Sequence, residues 1–389
     1  MTPMAAAHQP GQEGKSEMRS LEVRQLAREI DSLSGARLEK VFHPALRDLY
    51  FQFSQKGEGK VLLRVMPPAG AYLTSEKPAM EAMPRDFCVV LRKHLNNAFF
   101  EKAEQLGFDR ILSLSFRRGE QLLTVVLELF GRGNVILCDE AGVIIQALTY
   151  KSWKDRSIKK GTPYARPPSS HSLPDMDYQE FTGALSSGEE IVRVLAAPLG
   201  LGNAYAEEVC LRAGVLKSTR KPSPEQLSLL WEEARALLAA EPAPQLVWRA
   251  DSAGKRALVD VVLFPLKVYA GLDLIPAESL SAGLEEGFKH TRPATKRDPS
   301  IEKRERVNHI ITSQEEAIIS LAKGVAEDQR KAELLYEHYQ DIAALLEEAR
   351  QALASGGWAE VKERLEKMPG VVQVDLKAKT VTVELPDEA

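Results

Sequence analysis

The sequence predicts an α+β fold, and three observations carry that prediction. Short apolar runs recur between residues 36 and 148, separated by Gly-containing connectors. Phe181 to about Leu238 is helical in pattern throughout, around a Gly-x-Gly turn. Beyond Ile301 the apolar residues step by four and three in one long seam. At 389 residues the chain is too long for a single ordinary core. The expected division is a flexible leader (1–17), a β-rich domain (18–180) and a helix-hairpin-helix domain (181–240). Strands completing the first sheet and a linker (241–300), a coiled-coil helix (301–355) and a small tip with a β-hairpin (356–389) follow.

Leu21 to Leu33 carries an apolar stripe ended by Ser34-Gly35, and so reads as a helix. Ala36–His43, Leu49–Phe53, Val61–Val65 and Ala71–Thr74 read as strands with turns at Pro44 and Gly57-Glu58-Gly59. Asp86 to Asn96 is an amphipathic helix with Arg92, Lys93 and His94 at successive positions. Ile111–Phe116, Leu122–Phe130, Val135–Leu137 and Val143–Leu148 form an antiparallel meander joined by tight turns. Within the helical stretch, Leu199-Gly200-Leu201-Gly202-Asn203 fits a helix-hairpin-helix, whose glycines permit the turn and free the next helix's amides for a phosphate. A packed αα-corner is the alternative, and Glu207 and Glu208 oppose the phosphate role. The final seam steps from Val307 to Leu353, and the helix that carries it, Ile301 to Ala354, is roughly 80 Å long at 1.5 Å per residue. A returning helix or a second copy is needed to cover it, so self-association is expected and the chain reads as ending at the tip of an out-and-back arm.

Composition narrows the function. Hydrophobic residues make up 44% and charged residues 27%, as in a soluble folded protein. The net charge of −4 gives no global basic field, so nucleic-acid binding needs local patches. Three scattered cysteines and seven scattered histidines give no disulfide framework and no metal spacing. No apolar run is long enough to span a bilayer and no secretory signal is present, which points to the cytoplasm. There is no Walker A loop, Rossmann GxGxxG, HExxH or GxSxG, so neither catalysis nor a cofactor is expected.

The candidate binding residues are polar groups at strand ends and in basic segments. Asp109, Arg110, Glu128, Arg132 and Asn134 border the meander's turns. An Arg between Gly131 and Gly133 lets a nucleic-acid backbone approach while its fork meets phosphate. Ordinary solvated turns are the alternative. Arg92 and Lys93 keep their charge at pH 7. Lys151, Lys154 and Arg156 surround Trp153, combining phosphate pairing with a stacking face, although a soluble Lys-rich loop looks the same.

Asp109-Arg110, Glu128-Leu129-Phe130-Gly131-Arg132-Gly133-Asn134, Phe87 with Leu91-Arg92-Lys93-His94-Leu95, and LGLGNAYAEEVCLRAG together resemble the NFACT family. This family comprises the NEMF and RqcH proteins, formerly called fibronectin-binding protein A homologues. The likeness covers about Met18 to Phe288 and continues through the seam, with wording nearest the archaeal members. It implies a β-sandwich like that of Fpg/Nei DNA glycosylases followed by a helix-hairpin-helix. It also implies recognition of stalled large ribosomal subunits holding peptidyl-tRNA. Recruitment of aminoacyl-tRNA for untemplated C-terminal tailing would follow, without peptidyl-transferase activity of its own. By resemblance, the NFACT-N module grips tRNA, and Asp109, Arg110, Glu128 and Arg132 are the residues needed for it. Two departures stand out. The glycosylases' N-terminal Pro-Glu pair has no counterpart here, where residues 2–3 are Thr-Pro. The family's second coiled-coil helix and NFACT-R domain do not follow Ala389. A DNA glycosylase-like protein and a coiled-coil scaffold or adhesin are the competing readings.

Overall fold

The computed structural model describes residues 15, 17–55, 57, 59–78, 85–153, 156–167, 172–250, 254 and 256–290, most of 314–375, and 378–384. Residues 1–14, Lys154, the linker Pro293–Ser300 and the seam positions Val307 and Ile311 lie outside them. The chain forms two compact units, Met1–Lys296 and Arg297–Ala389.

The first unit is built on a nine-stranded antiparallel sheet. Its strands are β1 (Arg37–Ala45), β2 (Asp48–Gln55), β3 (Gly59–Met66), β4 (Gly70–Thr74), β5 (Phe99–Gln105), β6 (Ile111–Arg118), β7 (Gln121–Glu128), β8 (Asn134–Cys138) and β9 (Ile144–Ala147). Their order is β4-β3-β2-β1-β5-β6-β7-β8-β9. The register from β1 to β5 is the single pair Arg37↔Phe99, so the two halves are free to fold face to face there. They do so: the Phe53 ring on β2 stacks on Phe116 of β6 at 6.3 Å, although β1 and β5 separate these strands in the sheet. Phe100 meets both rings edge-on, at 5.6 and 5.5 Å. Alternate residues Leu112, Leu114 and Phe116 point into this core, while Ile111, Val126, Ile136 and Ile144 face a smaller cluster on the other side. That second cluster is covered by the short hairpin β10 (Lys151–Ser152) and β11 (Ser157–Ile158), through Ile158. With apolar groups on both faces, β8 is buried along its whole length.

Helix α1 (Ser20–Asp31) packs its Leu21, Leu26 and Ile30 stripe into the core beside β5, and α2 (Asp86–Leu95) lies against β1 and β9. The leader expected over 1–17 is corrected at its end. Lys15 is 2% exposed, and its ammonium reaches Glu22 at 2.8 Å and Asp260 at 3.1 Å.

Helices α3 (Tyr178–Leu185), α4 (Ile191–Ala196), α5 (Asn203–Arg212) and α6 (Pro224–Ala239) follow. The strands after them do not complete the first sheet. β12 (Gln245–Ala250), β13 (Arg256–Val262) and β14 (Asp273–Pro276) form their own sheet, in the order β13-β12-β14. The reason is α7 (Leu280–His290), which covers the β4 edge and packs on β13. The Leu73 amide at that edge donates to Ser281 Oγ of α7 at 3.1 Å. The sequence pattern hid α7 because Gly283 and Gly287 interrupt its apolar face. An added Cβ at Gly287 would come within 2.7 Å of Val261, so the gap in the pattern is a close contact.

In the second unit, described residues between 314 and 337 are helical. The chain turns at His338 (φ −99°, ψ 23°) and a helix then runs from Tyr339 to Leu365, interrupted at Gly357 (φ 71°, ψ −162°). Helical hydrogen bonds still pass through His338, from its amide to the Leu334 carbonyl at 3.0 Å and from the Ile342 amide to its own carbonyl at 3.0 Å, so the helix is bent there rather than ended. Seam side chains Ile318, Leu321, Val325, Leu335, Leu346 and Leu353 are exposed. Ala352, Val361, Leu365 and Val374 form a small core where the antiparallel pair Val371–Asp375 and Thr380–Val383 meets the helix.

Candidate nucleic-acid interface

Three turns meet at one end of the sandwich. The Pro67-Pro68 turn between β3 and β4 lies so close to the β7–β8 turn that a Cβ on Gly133 would sit 2.6 Å from Pro67 Cβ. Arg47, in the β1–β2 turn, donates from Nη1 to the carbonyl oxygens of Arg132 and Gly133. With its backbone held this way, Arg132 stands exposed between two left-handed glycines, Gly131 (φ +59°) and Gly133 (φ +68°). Among the described residues its guanidinium has no acidic partner. A cation presented on a pinned turn loses little freedom on meeting an anion.

Glu128 and Asn134 flank this turn as a register pair, and both are 4% exposed, which corrects the expectation of direct ligand contact. Asn134 Nδ2 donates to the Thr149 carbonyl at 2.8 Å, and its Oδ1 accepts from the Thr149 amide at 3.0 Å. Glu128 Oε1 accepts from Arg156 Nη2 at 2.6 Å and from the Tyr164 hydroxyl at 3.1 Å. Arg156, expected on the surface, is likewise inside, its side chain 6% exposed. A buried carboxylate needs such a partner, because an isolated one could not stay ionised. Burial, then the Glu128 charge, pushes the Tyr164 hydroxyl far above its ordinary range, so it stays a donor.

Asp109 and Arg110 sit in the turn before β6, both partly exposed. Arg110 pairs with Glu17, and its carbonyl oxygen accepts from the Leu129 amide at 2.8 Å, tying this turn to the end of β7. The Asp109 carbonyl oxygen accepts from Gln105 Nε2 at 2.8 Å. Beside them a cleft of about 300 Å³ runs between α1 and β5, lined by Arg24, Arg28, Asp31, Glu104 and Gly107. The Arg24 guanidinium lies 5.0 Å from the Phe108 ring centre. Burial, then Arg28, lower the Arg24 pKa, with Asp175 opposing. The sequence reading missed Arg24 and Arg28, since arginines on a helix normally mark only its wet face. Their one legible signal was four-residue spacing, which puts both on one side of α1.

Arg92 Nε donates to the Val41 carbonyl at 2.8 Å, which fixes the guanidinium on β1 and leaves its Nη groups for other partners, whereas Lys93 is exposed. Arg118, also missed, donates to the carbonyls of Lys93 and His94 at the end of α2. Burial first, then Lys93, Arg118 and Lys160, lower the His94 pKa; that ring therefore borders three cations. Lys151 is exposed, with its ammonium 4.8 Å from the Trp153 ring centre. Gly200 and Gly202 have φ of +76° and +77° and make the α4–α5 turn. Their open sides face the protein itself: a Cβ would lie 3.1 Å from the Phe108 carbonyl and 2.9 Å from Arg19, respectively. That close packing makes the turn a tight corner against Phe108 and Arg19. No group of three potential metal ligands occurs among the described residues.

The comparisons with known proteins agree with this architecture. The chain is 29% identical to the archaeal Rqc2 homolog aRqcH of Methanocaldococcus jannaschii, over 90% of its own length and 54% of that protein. It is 28% identical to the ribosome quality control complex subunit NEMF of Homo sapiens, over 51% of its length and 19% of that protein. The chain thus spans about half, or less, of these relatives. Among solved structures it is similar to the fibrinogen binding protein from Staphylococcus aureus. The TM-score is 0.56 at 21% identity, covering 69% of this chain and 97% of that one, which speaks for the fold alone. No helix among the described residues is long and apolar enough to cross a membrane. The model for NFACT N-terminal and middle domains matches residues 20–384, nearly the whole chain, and the protein therefore belongs to the NFACT family.

Proposed function

We propose that this chain is a non-catalytic factor of ribosome-associated quality control that grips tRNA on a stalled large subunit. In this reading the sandwich holds peptidyl- or aminoacyl-tRNA while untemplated residues are added to the C-terminus of the nascent chain, the bond-forming chemistry being left to the ribosome. It works in the cytoplasm without a cofactor. The family and the names of its relatives support the setting. The observation that carries the ligand is Arg132, exposed and unpaired on a turn whose backbone Arg47 pins. The cleft beside Asp109 and Arg110, where Arg24 and Arg28 stand with Asp31 and Glu104, adds a second contact surface.

Gel shifts with deacylated tRNA across a salt series test this. Arg132→Ala is expected to weaken binding several-fold and to lower the slope of log affinity against log salt by about one, because one phosphate contact is lost. The double variant Asp109→Ala/Arg110→Ala is expected to weaken binding further. Affinity unchanged in both variants would end the site assignment, and absence of salt-sensitive tRNA binding in the wild type would end the reading itself.

A further inference from the structure

We propose that Trp153 is a stacking platform for an unpaired RNA base, held in place by the buried Glu128–Arg156 ion pair; this rests on the tRNA-binding reading above. Trp153 follows β10, and its amide donates to the Arg156 carbonyl at 2.8 Å, closing the hairpin in which Lys151 pairs with Ile158 and Ser152 with Ser157. The hairpin is anchored by Ile158, 1% exposed in the smaller core cluster. Trp153 itself remains 44% exposed. A large indole left this open needs a reason, since nearly half of its favourable burial is forgone.

The ring is nonetheless held. Arg156 lies 4.7 Å and Lys151 4.8 Å from its centre. Arg156 is fixed in turn by Glu128 at 2.6 Å, with Tyr164 on the same carboxylate oxygen. One of its nitrogens, Nη1, is buried with no acceptor among the described residues. The exposed Lys151 ammonium beside the ring is placed to meet the phosphate of a nucleotide whose base stacks on Trp153. Aromatic stacking flanked by cations is the usual way proteins take up unpaired nucleotides.

This geometry gives the segment from Glu128 to Asn134 two tasks. Its middle presents Arg132. Its ends clamp the stem of the Trp153 hairpin, Asn134 at Thr149 and Glu128 at Arg156. Glu128 is then a positioning residue, acting on RNA through Arg156 and Trp153.

The test uses deacylated tRNA and, as a probe without bases, inorganic polyphosphate. Trp153→Ala is expected to weaken tRNA binding about 5- to 100-fold, the range for losing one base stack, while leaving polyphosphate binding unchanged. Trp153→Phe should restore most of the tRNA affinity. The salt slope should stay that of the wild type, whereas Arg132→Ala lowers it. Glu128→Gln should weaken tRNA binding in the wild type and add little on top of Trp153→Ala, as expected of coupled residues. Since Trp153 is exposed, its own variants decide the matter even where Glu128→Gln fails to fold. If Trp153→Ala binds tRNA normally while Arg132→Ala does not, stacking is overturned and the tRNA-binding reading stands. Equal losses on polyphosphate overturn stacking as well. Wild-type protein that binds no tRNA overturns both.

Discussion

Asp260→Asn is expected to remove about 3–5 kcal/mol of stability, the cost of stranding buried charge by deleting one partner. A melting temperature lower by about 5–15 °C is the corresponding readout for a unit of this size. Asp260 is 4% exposed and is met by Lys15 at 3.1 Å, Arg19 at 2.5 Å and the Tyr269 hydroxyl at 2.6 Å. Glu22, completely buried, shares both cations and also accepts from the Tyr205 hydroxyl, which in turn accepts from the Leu263 amide at 3.0 Å. One network thereby fastens the N-terminal segment, the helical hairpin and the three-stranded sheet. With Asn at 260, the buried Lys15 and the partly buried Arg19 would face the single carboxylate of Glu22.

Acid should produce the same loss. Burial alone would raise the Asp260 pKa, but Arg19 and Lys15, with hydrogen bonds from Arg19 and Tyr269, hold it well below the usual carboxylate range. A depressed carboxylate contributes stability that is complete above its unfolded pKa of about 4 and is lost as pH falls toward the folded value. The gap between wild type and Asp260→Asn should therefore be widest near neutrality and narrow below about pH 4. Melts recorded from neutral to acid pH check this. A gap that stays constant over that range, or a variant as stable as the wild type at neutrality, would show that the network is not the fastening described.

The fold was legible where local pattern and tertiary role coincide. Strands β1 to β4 and β6 to β9 alternate or run apolar between Gly-containing turns, and both signals survive burial because one face meets the sandwich core. Lys15 was unreadable. Its meaning depends on Asp260, 245 residues away, and a lone lysine after a Gly- and Ala-containing segment looks like tail. At the site, Gly-Arg-Gly announced Arg132 because only glycine comfortably takes the two left-handed positions beside it. Glu128 and Asn134 misled for the opposite reason. Polar residues at strand ends are normally wet, and nothing local reveals that Arg156 and Thr149 would come round to enclose them. The family resemblance named Glu128 as needed without distinguishing contact from support. That distinction is geometric.

Gly133→Ala and Gly131→Ala should separate sharply, although both replace a left-handed glycine in the same turn. At Gly131 (φ +59°) an added methyl meets nothing within 4 Å, so only the backbone cost of about 1–2 kcal/mol applies. At Gly133 (φ +68°) the methyl would lie 2.6 Å from both Pro67 Cβ and the Pro68 nitrogen. Neither atom belongs to a flexible side chain that can swing away, so a packing penalty of about 1–3 kcal/mol is added. Relief requires the β7–β8 turn to move off the Pro67-Pro68 turn, which breaks the Arg47 hydrogen bond to the Gly133 carbonyl, 3.1 Å in the native turn. Arg132 would then lose its pinned backbone while keeping its charge. Gly133→Ala is accordingly expected to melt several degrees below Gly131→Ala and to bind tRNA nearly as poorly as Arg132→Ala. Gly131→Ala should keep most of the wild-type affinity. Equal melting temperatures for the two alanine variants would mean that the turns are not in contact as described. A destabilised Gly133→Ala that still binds tRNA like the wild type would show that the pinned turn is dispensable for recognition, leaving Arg132 to act as a mobile charge.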